Sequence, residues 1–349
     1  MTQLAAGPGR VTGSMRFSVE GWDPSYGTSV SASAEDDDLS TSSAEIVTDV
    51  EVAEVDWAPI APPHDAVAPA AVLFIDGVRR IDARIWIDDP GADSGSDGAP
   101  AAASSICASY AAGVICCCPA RGAHLLTATV DRGVFTSAAG AVDVDTWAGS
   151  YQAFPIPPRP GVPLSVTLSA NLQARLAGLE VDVALRAREL PEHGVGAGDD
   201  LLVVDGPLQG RAHLPRALGF IKTHRTTYLP AALNPIVGRL PGGYRTPVFR
   251  MGTSWQRHSW YLRLPCPPGS PWAGVVRVEC SAELSRPDVV QLANLSQATL
   301  CRYASIEYKD ARAPQNLYPI AGLERELRRR LGDPQLLYRA LRSAAHRPA

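Results

Sequence analysis

The chain is organised around Leu201-Leu202-Val203-Val204-Asp205-Gly206-Pro207-Leu208. Four apolar residues, bounded by Asp199-Asp200 and a Gly-Pro turn, read as a strand covered on both faces, as in a parallel or mixed sheet. The phrase has an earlier copy, where Ala71-Val72-Leu73-Phe74-Ile75 runs into Asp76-Gly77. Two buried strands that each deliver Asp-Gly to one edge put two carboxylates side by side. Such a pair either raises one pKa steeply or binds a divalent cation. Taken singly, each Asp-Gly also reads as the start of a turn.

Around these two strands the 349 residues can bury a large core, as one elaborated domain or two. The expected class is α/β, a mixed sheet flanked by helices, with a strand-rich N-terminal extension. The net charge of −4 hides an asymmetry. Residues 1–200 carry 11 Lys+Arg against 27 Asp+Glu, whereas residues 201–349 carry 21 against 9. A polyanion partner therefore suits the second half, because phosphate binding needs a local patch rather than a basic whole. Only Lys222 and Lys309 are lysines. Seven cysteines contain no CxxC pair, so a structural zinc site is not expected, and Cys116-Cys117-Cys118 read as small packed residues. Residues 98–120 are too weakly apolar for a membrane span. With no basic stretch followed by an apolar core at the amino terminus, a cytoplasmic location is expected.

In chain order, residues 27–45 are Ser, Ala and acids and read as a loosely held loop. Valines alternating with acids from Glu45 to Trp57 predict a half-exposed strand, and Pro59 to Pro69 a linker. Val78 to Ile87 alternates again and predicts the antiparallel partner of the Asp76 strand, joined to it by a hairpin. Residues 88–104 read as a mobile loop, followed by strands in 107–118 and 125–135. Leu168, Leu172, Leu176, Leu179 and Val183 form one stripe of a helix over 164–190, with Glu180 beside the stripe and Glu189 near the end. Strands follow at 259–264 and 274–280, a helix at 287–300, and terminal helices at 323–331 and 334–345.

Asp76, Glu180 and Asp205 are the metal-ligand candidates, three carboxylates from two strands and a helix that suit Mg²⁺ or Mn²⁺. Two such ions about 4 Å apart would activate water and steady the leaving oxygen in phosphodiester hydrolysis. Glu180 reads equally as an exposed helix residue. Lys222, after Gly219-Phe220-Ile221, can bind a phosphate as a point charge or sit on the surface. Arg225, Arg245, Arg263, Arg302, Lys309 and Arg312 are candidates for tracking a phosphate backbone, with Trp260 and Tyr261 for base stacking or for the core. No G-x-x-x-x-G-K-[ST] or G-x-S-x-G is present, which sets aside P-loop ATPases and the nucleophile elbow. A carboxylate pair could also hydrolyse glycosides without metal, but that would leave the charge asymmetry unexplained.

The ordered set of Phe74-Ile75-Asp76-Gly77, a helix with Glu180, Leu202-Val203-Val204-Asp205-Gly206-Pro207-Leu208, Gly219-Phe220-Ile221-Lys222, Arg277-Val278-Glu279 and Pro319-Ile320-Ala321-Gly322-Leu323-Glu324 resembles the NurA nuclease family. The resemblance is to its actinobacterial branch and covers roughly residues 70–335. It implies an RNase H-like core and Mn²⁺-dependent DNA end resection. It also implies a homodimer and partnership with a hexameric HerA translocase. By this resemblance Asp76, Glu180 and Asp205 are the acidic motifs, with Glu189 as the alternative helix carboxylate. Glu324 stands where the family usually has a histidine; it could still bind a metal, but not as a neutral imidazole would. The implied organisation is an acidic extension and linker over 1–69, a nuclease domain over 70–335 and a helical tail over 336–349.

Overall fold

The computed structural model describes residues 17–19, 40–41, 44–64, 66–88, 102–190, 199–224, 226–266, 272–306, 309–310, 313 and 315–346. Of the loops expected at 27–45 and 88–104, residues 27–39 and 89–101 lie outside the described residues, while Ser40–Thr41, Glu45, Asp88 and residues 102–104 are strand. Short strands β1 (Phe17–Val19), β2 (Ser40–Thr41) and β3 (Glu45–Val47) precede three long ones, β4 (Ala71–Asp88), β5 (Ala102–Cys118) and β6 (Gly122–Thr136). Next come β7 (Val144–Thr146), β8 (Gly149–Pro155), helix α1 (Leu164–Glu189), β9 (Asp200–Asp205), β10 (Ala217–Ile221) and β11 (Thr226–Thr227). The chain continues through α2 (Asn234–Gly238), β12 (Phe249–Gly252), β13 (Gln256–Arg263) and β14 (Val275–Ser281). Helices α3 (Arg286–Leu300), α4 (Tyr318–Arg330) and α5 (Pro334–Ala345) complete it.

One mixed sheet organises the described residues, in the order β3-β12-β13-β14-β10-β9-β4-β5-β6-β8-β7, with β1 added on β4. At its centre β4, β9 and β10 are parallel, while β5 and β6 continue from β4 as antiparallel hairpins. The apolar run of β9 is covered on both faces, as its composition predicts. Leu202 and Val204 join Leu73, Ile75 and the α1 stripe of Leu168, Leu172, Leu176, Leu179 and Val183. Leu201 and Val203 join Val72, Phe74, Trp260, the α3 residues Val289 and Leu292, and Ile320 of α4. The architecture is thus mixed α/β, a large mixed sheet flanked by a few helices.

Three expectations need correction. The first Asp-Gly is not a turn: β4 runs through it to Asp88, and Gly77 pairs with Ala112 of β5. Glycine is needed there for closeness rather than for bending. A β-carbon on Gly77 would sit 2.8 Å from Leu176 Cδ1 and collide with the Glu180 carboxylate. At the second Asp-Gly the strand does end, and Gly206 has φ 109°. Gly77→Ala is therefore expected to destabilise the fold by about 1–3 kcal/mol through overpacking, read as a lower urea midpoint. An unchanged midpoint would mean that α1 does not press on β4 here.

The second correction concerns 45–57, where only Glu45–Val47 is strand and Glu54–Asp56 is a 3₁₀ turn. Glu51 leaves the alternation because its carboxylate accepts from the Arg245 guanidinium and the Val248 amide. The third is Arg245 itself, expected on DNA but fully buried. Trp260 and Tyr261 are likewise core residues. The division at 335/336 falls inside α5, whose Leu341 packs in the core with Ile85, Ile87 and Tyr151.

Candidate carboxylate centre

Parallel pairing of Ile75 with Val204 brings Asp76 and Asp205 to neighbouring positions. Alternation along each strand aims both away from α1 and toward α4, the face that also carries Val78, Leu323 and Leu327. There they line a cleft of about 290 Å³ with Gly77, Val78, Arg79, Glu324 and Arg328. Glu324 accepts from Arg328 at 2.9 Å. Lys222, just past the end of β10, donates to Asp205 Oδ2 at 2.7 Å and to Asn316 Oδ1 at 3.2 Å. Asn316 is fully buried and donates to Asp310 at 2.5 Å, so the Lys222 head is held by a supported network.

Glu180 approaches from the other face. It sits on the α1 stripe, its carboxylate abuts the backbone at Gly77, and it is ion-paired with Arg211. The Arg188–Asp200 pair, at 2.7 and 3.1 Å, ties the end of α1 to the start of β9 and so fixes the helix against the sheet. Glu189 lies at the last position of α1, exposed and beyond this pair. The electrostatic fields of the acids overlap. Burial, then Asp205, hold the Asp76 carboxyl well above its usual range, with a further contribution from Glu180. Burial pushes Glu180 up as well, against the lowering effect of Arg211, and Asp205 adds to the rise. No three of Asp76, Glu180, Asp205 and Glu324 bring their oxygens all within 4.8 Å of one another. Among the described residues that closeness is met by Cys116, Cys118 and His124.

The raised Asp76 pKa has a measurable consequence. A carboxyl whose folded pKa exceeds its unfolded one binds its proton more tightly when folded, so stability falls as pH rises through that interval. Asp76→Asn has no such proton to lose as pH rises and is expected to raise the melting temperature in EDTA at about pH 7.5 by a few degrees. The advantage should shrink toward about pH 4, where wild type is protonated too. A variant less stable than wild type at both pH values would contradict this.

Of the proposed DNA contacts, Lys222 belongs to the centre, and Lys309 lies with its ammonium 5.8 Å from the Tyr318 ring centroid. Lys309, Arg325 and Arg328 line a second cleft of about 440 Å³ with Asp310, Tyr318, Ala321 and Glu324. Glu324 and Arg328 line both clefts, which therefore adjoin. Arg225 and Arg312 lie outside the described residues. Arg263 bonds the Gly238 and Ala273 carbonyls, and Arg302 lines a separate pocket beside Cys117 and Tyr303.

Glu279 is a residue whose role residue-level reading missed. Fully buried, it accepts from the Leu208 amide at 2.7 Å and from Arg277 at 2.7 Å, and it is ion-paired with Arg257 at 3.1 Å. It thereby pins the turn that follows Asp205. The alternation of Arg277 and Glu279 on one strand was the signal in the sequence, but their inward direction depends on the neighbouring strands. No membrane-crossing helix occurs among the described residues, none being long and apolar enough. In comparisons with known proteins, the chain matches no family model and no curated protein.

Proposed function

We propose that this chain is a metal-dependent DNA nuclease that hydrolyses phosphodiesters in end resection at double-strand breaks. The observation that carries the reading is the cleft where Asp76 and Asp205, from adjacent parallel strands, meet Glu324 and Lys222, continuous with a groove lined by Lys309, Arg325 and Arg328. An RNase H-like core is supported by the strand order β6-β5-β4-β9-β10, antiparallel then parallel, with α1 between β6 and β9 in sequence. The NurA-like order of motifs supports the same reading.

The donor set fits Mn²⁺ or Mg²⁺: it is all oxygen, and the Asp76 carboxyl is held up by burial and by neighbouring acids that a cation would offset. Asp76, Asp205 and Glu324 would hold the ion, while Glu180, on the other face of β4 and paired with Arg211, would act on them through its charge. The ion would supply Lewis-acid activation of water and of the leaving oxygen. Lys222 would hold a non-bridging phosphate oxygen, and the Lys309/Arg325/Arg328 groove would hold the strand by its phosphates. The proposed partners are DNA, a second copy of the chain and a HerA-like hexameric translocase.

The test is hydrolysis of end-labelled linear DNA by the wild-type chain in Mn²⁺, Mg²⁺ or EDTA. Metal-dependent shortening supports the nuclease. DNA binding without cleavage in any metal, alone or with a HerA-like partner, would favour a non-catalytic binding or translocase-docking subunit. That second reading draws on the Lys222–Asp205 pair, which already neutralises one of the acids.

A further inference from the structure

The far end of the β5–β6 hairpin holds a second cluster, of different chemistry. Cys116 and Cys118 are two residues apart on β5, so both side chains leave the sheet on one face. That face is the α1 side, where Cys116 is fully buried and Cys118 packs against the same cluster. A register shift after Val114 re-sets the hairpin, and His124 of β6 then stands opposite Cys116. Bulges of this kind re-aim side chains. The two sulfurs and an imidazole nitrogen all lie within 4.8 Å of one another.

The imidazole is set up as a ligand. His124 Nδ1 lies 3.2 Å from the Gly122 carbonyl oxygen, which can only accept, so Nδ1 carries the proton and donates. Nε2 is left with its lone pair, shut off from solvent and with no hydrogen-bond partner. A buried acceptor left unsatisfied carries a desolvation penalty that a bound cation would remove. Fixing one ring nitrogen on a backbone carbonyl so that the other faces a metal is the usual support for a histidine ligand.

We propose that Cys116, Cys118 and His124 bind a thiophilic cation of the Zn²⁺ class. Two thiolates and an imidazole select such an ion over Mg²⁺ or Mn²⁺. A tetrahedral ion with Zn–S near 2.3 Å spaces its sulfurs by about 3.7 Å. The three donors therefore need to close by about 1 Å at most, within reach of side-chain rotation. Three protein ligands leave the fourth position to water or a ligand. The site is distinct from the carboxylate centre. Asp76 faces α4 and pairs with Gly113, three residues from Cys116 and about 10 Å away along β5.

The test uses the full chain, reduced and stripped with chelator, titrated with Co²⁺ and then Zn²⁺. The expected result is one equivalent of Co²⁺ giving a thiolate-to-metal charge-transfer band and tetrahedral d–d bands, both displaced by Zn²⁺. Cys118→Ser and His124→Gln should each weaken binding at least about 100-fold, since even outer-shell losses cost up to that. Asp76→Asn with Asp205→Asn should leave the bands intact. These positions are chosen over Cys116 because both are only partly buried, and circular dichroism confirms the fold. Wild type without a charge-transfer band, or equal Co²⁺ affinity in wild type, Cys118→Ser and His124→Gln, would overturn the proposal.

Discussion

Arg245→Ala is expected to destabilise the fold by about 3–5 kcal/mol, the cost of leaving a buried charge without its partner. The Arg245 side chain is 1% exposed and meets Glu51 through both carboxylate oxygens, at 2.7 and 2.8 Å. It also bonds Asn294 at 2.6 Å and the Thr246 carbonyl at 3.0 Å. Truncation leaves Glu51 charged beneath the chain without its partner, and the Val248 amide as its remaining donor. It also removes one of the ties between residues 44–64 and α3, leaving the β3–β12 pairing and the Gln297–Ile60 carbonyl bond in place. Arg245→Lys should recover only part of the loss, since an ammonium cannot span both oxygens. Urea unfolding reads the effect directly. Unchanged stability with weakened DNA binding would return Arg245 to the surface role that its charge suggests.

The second large effect is chemical. Asp76→Asn and Asp205→Asn are each expected to lower DNA cleavage roughly 10³-fold, about 4 kcal/mol of barrier, while leaving DNA affinity within about twofold. Each substitution keeps the shape of the side chain and removes one charged donor from the cleft. Binding persists because the groove cations Lys309, Arg325 and Arg328 are untouched. For Asp76 the same change should raise thermal stability, so activity and stability move in opposite directions. That pairing separates loss of a functional carboxylate from loss of fold. Equal loss of cleavage and of stability would mean simple unfolding.

Much of the scaffold was legible because its signals are local. The apolar run of β9 and the 3.6-residue stripe of α1 each depend only on neighbours in sequence, and both elements fall within a residue or two of expectation. The misreadings come from partners distant in sequence. Asp76-Gly77 carries the same turn signal as Asp205-Gly206; Leu176 and Glu180, about a hundred positions on, decide that its glycine makes room instead. The charge of Arg245 suggests phosphate, and only its meeting with Glu51 across 194 residues reveals a buried pair. Asp76 and Asp205 could be paired by their matched phrases, whereas the approach of Glu180 through α1 and of Glu324 through α4 is a matter of packing. The Cys116/Cys118/His124 cluster lacks a CxxC and exists only through hairpin register, one bulge away from losing its histidine.

A Mn²⁺ titration of the metal-free chain, with free ion followed by electron paramagnetic resonance, probes the proposed cation centre without relying on catalysis. Saturable binding by wild type is expected, falling at least tenfold in Asp76→Asn and in Asp205→Asn and unchanged in Cys118→Ser. Equal Mn²⁺ binding by wild type and by the Asp76→Asn, Asp205→Asn double variant would contradict a cation centre in this cleft.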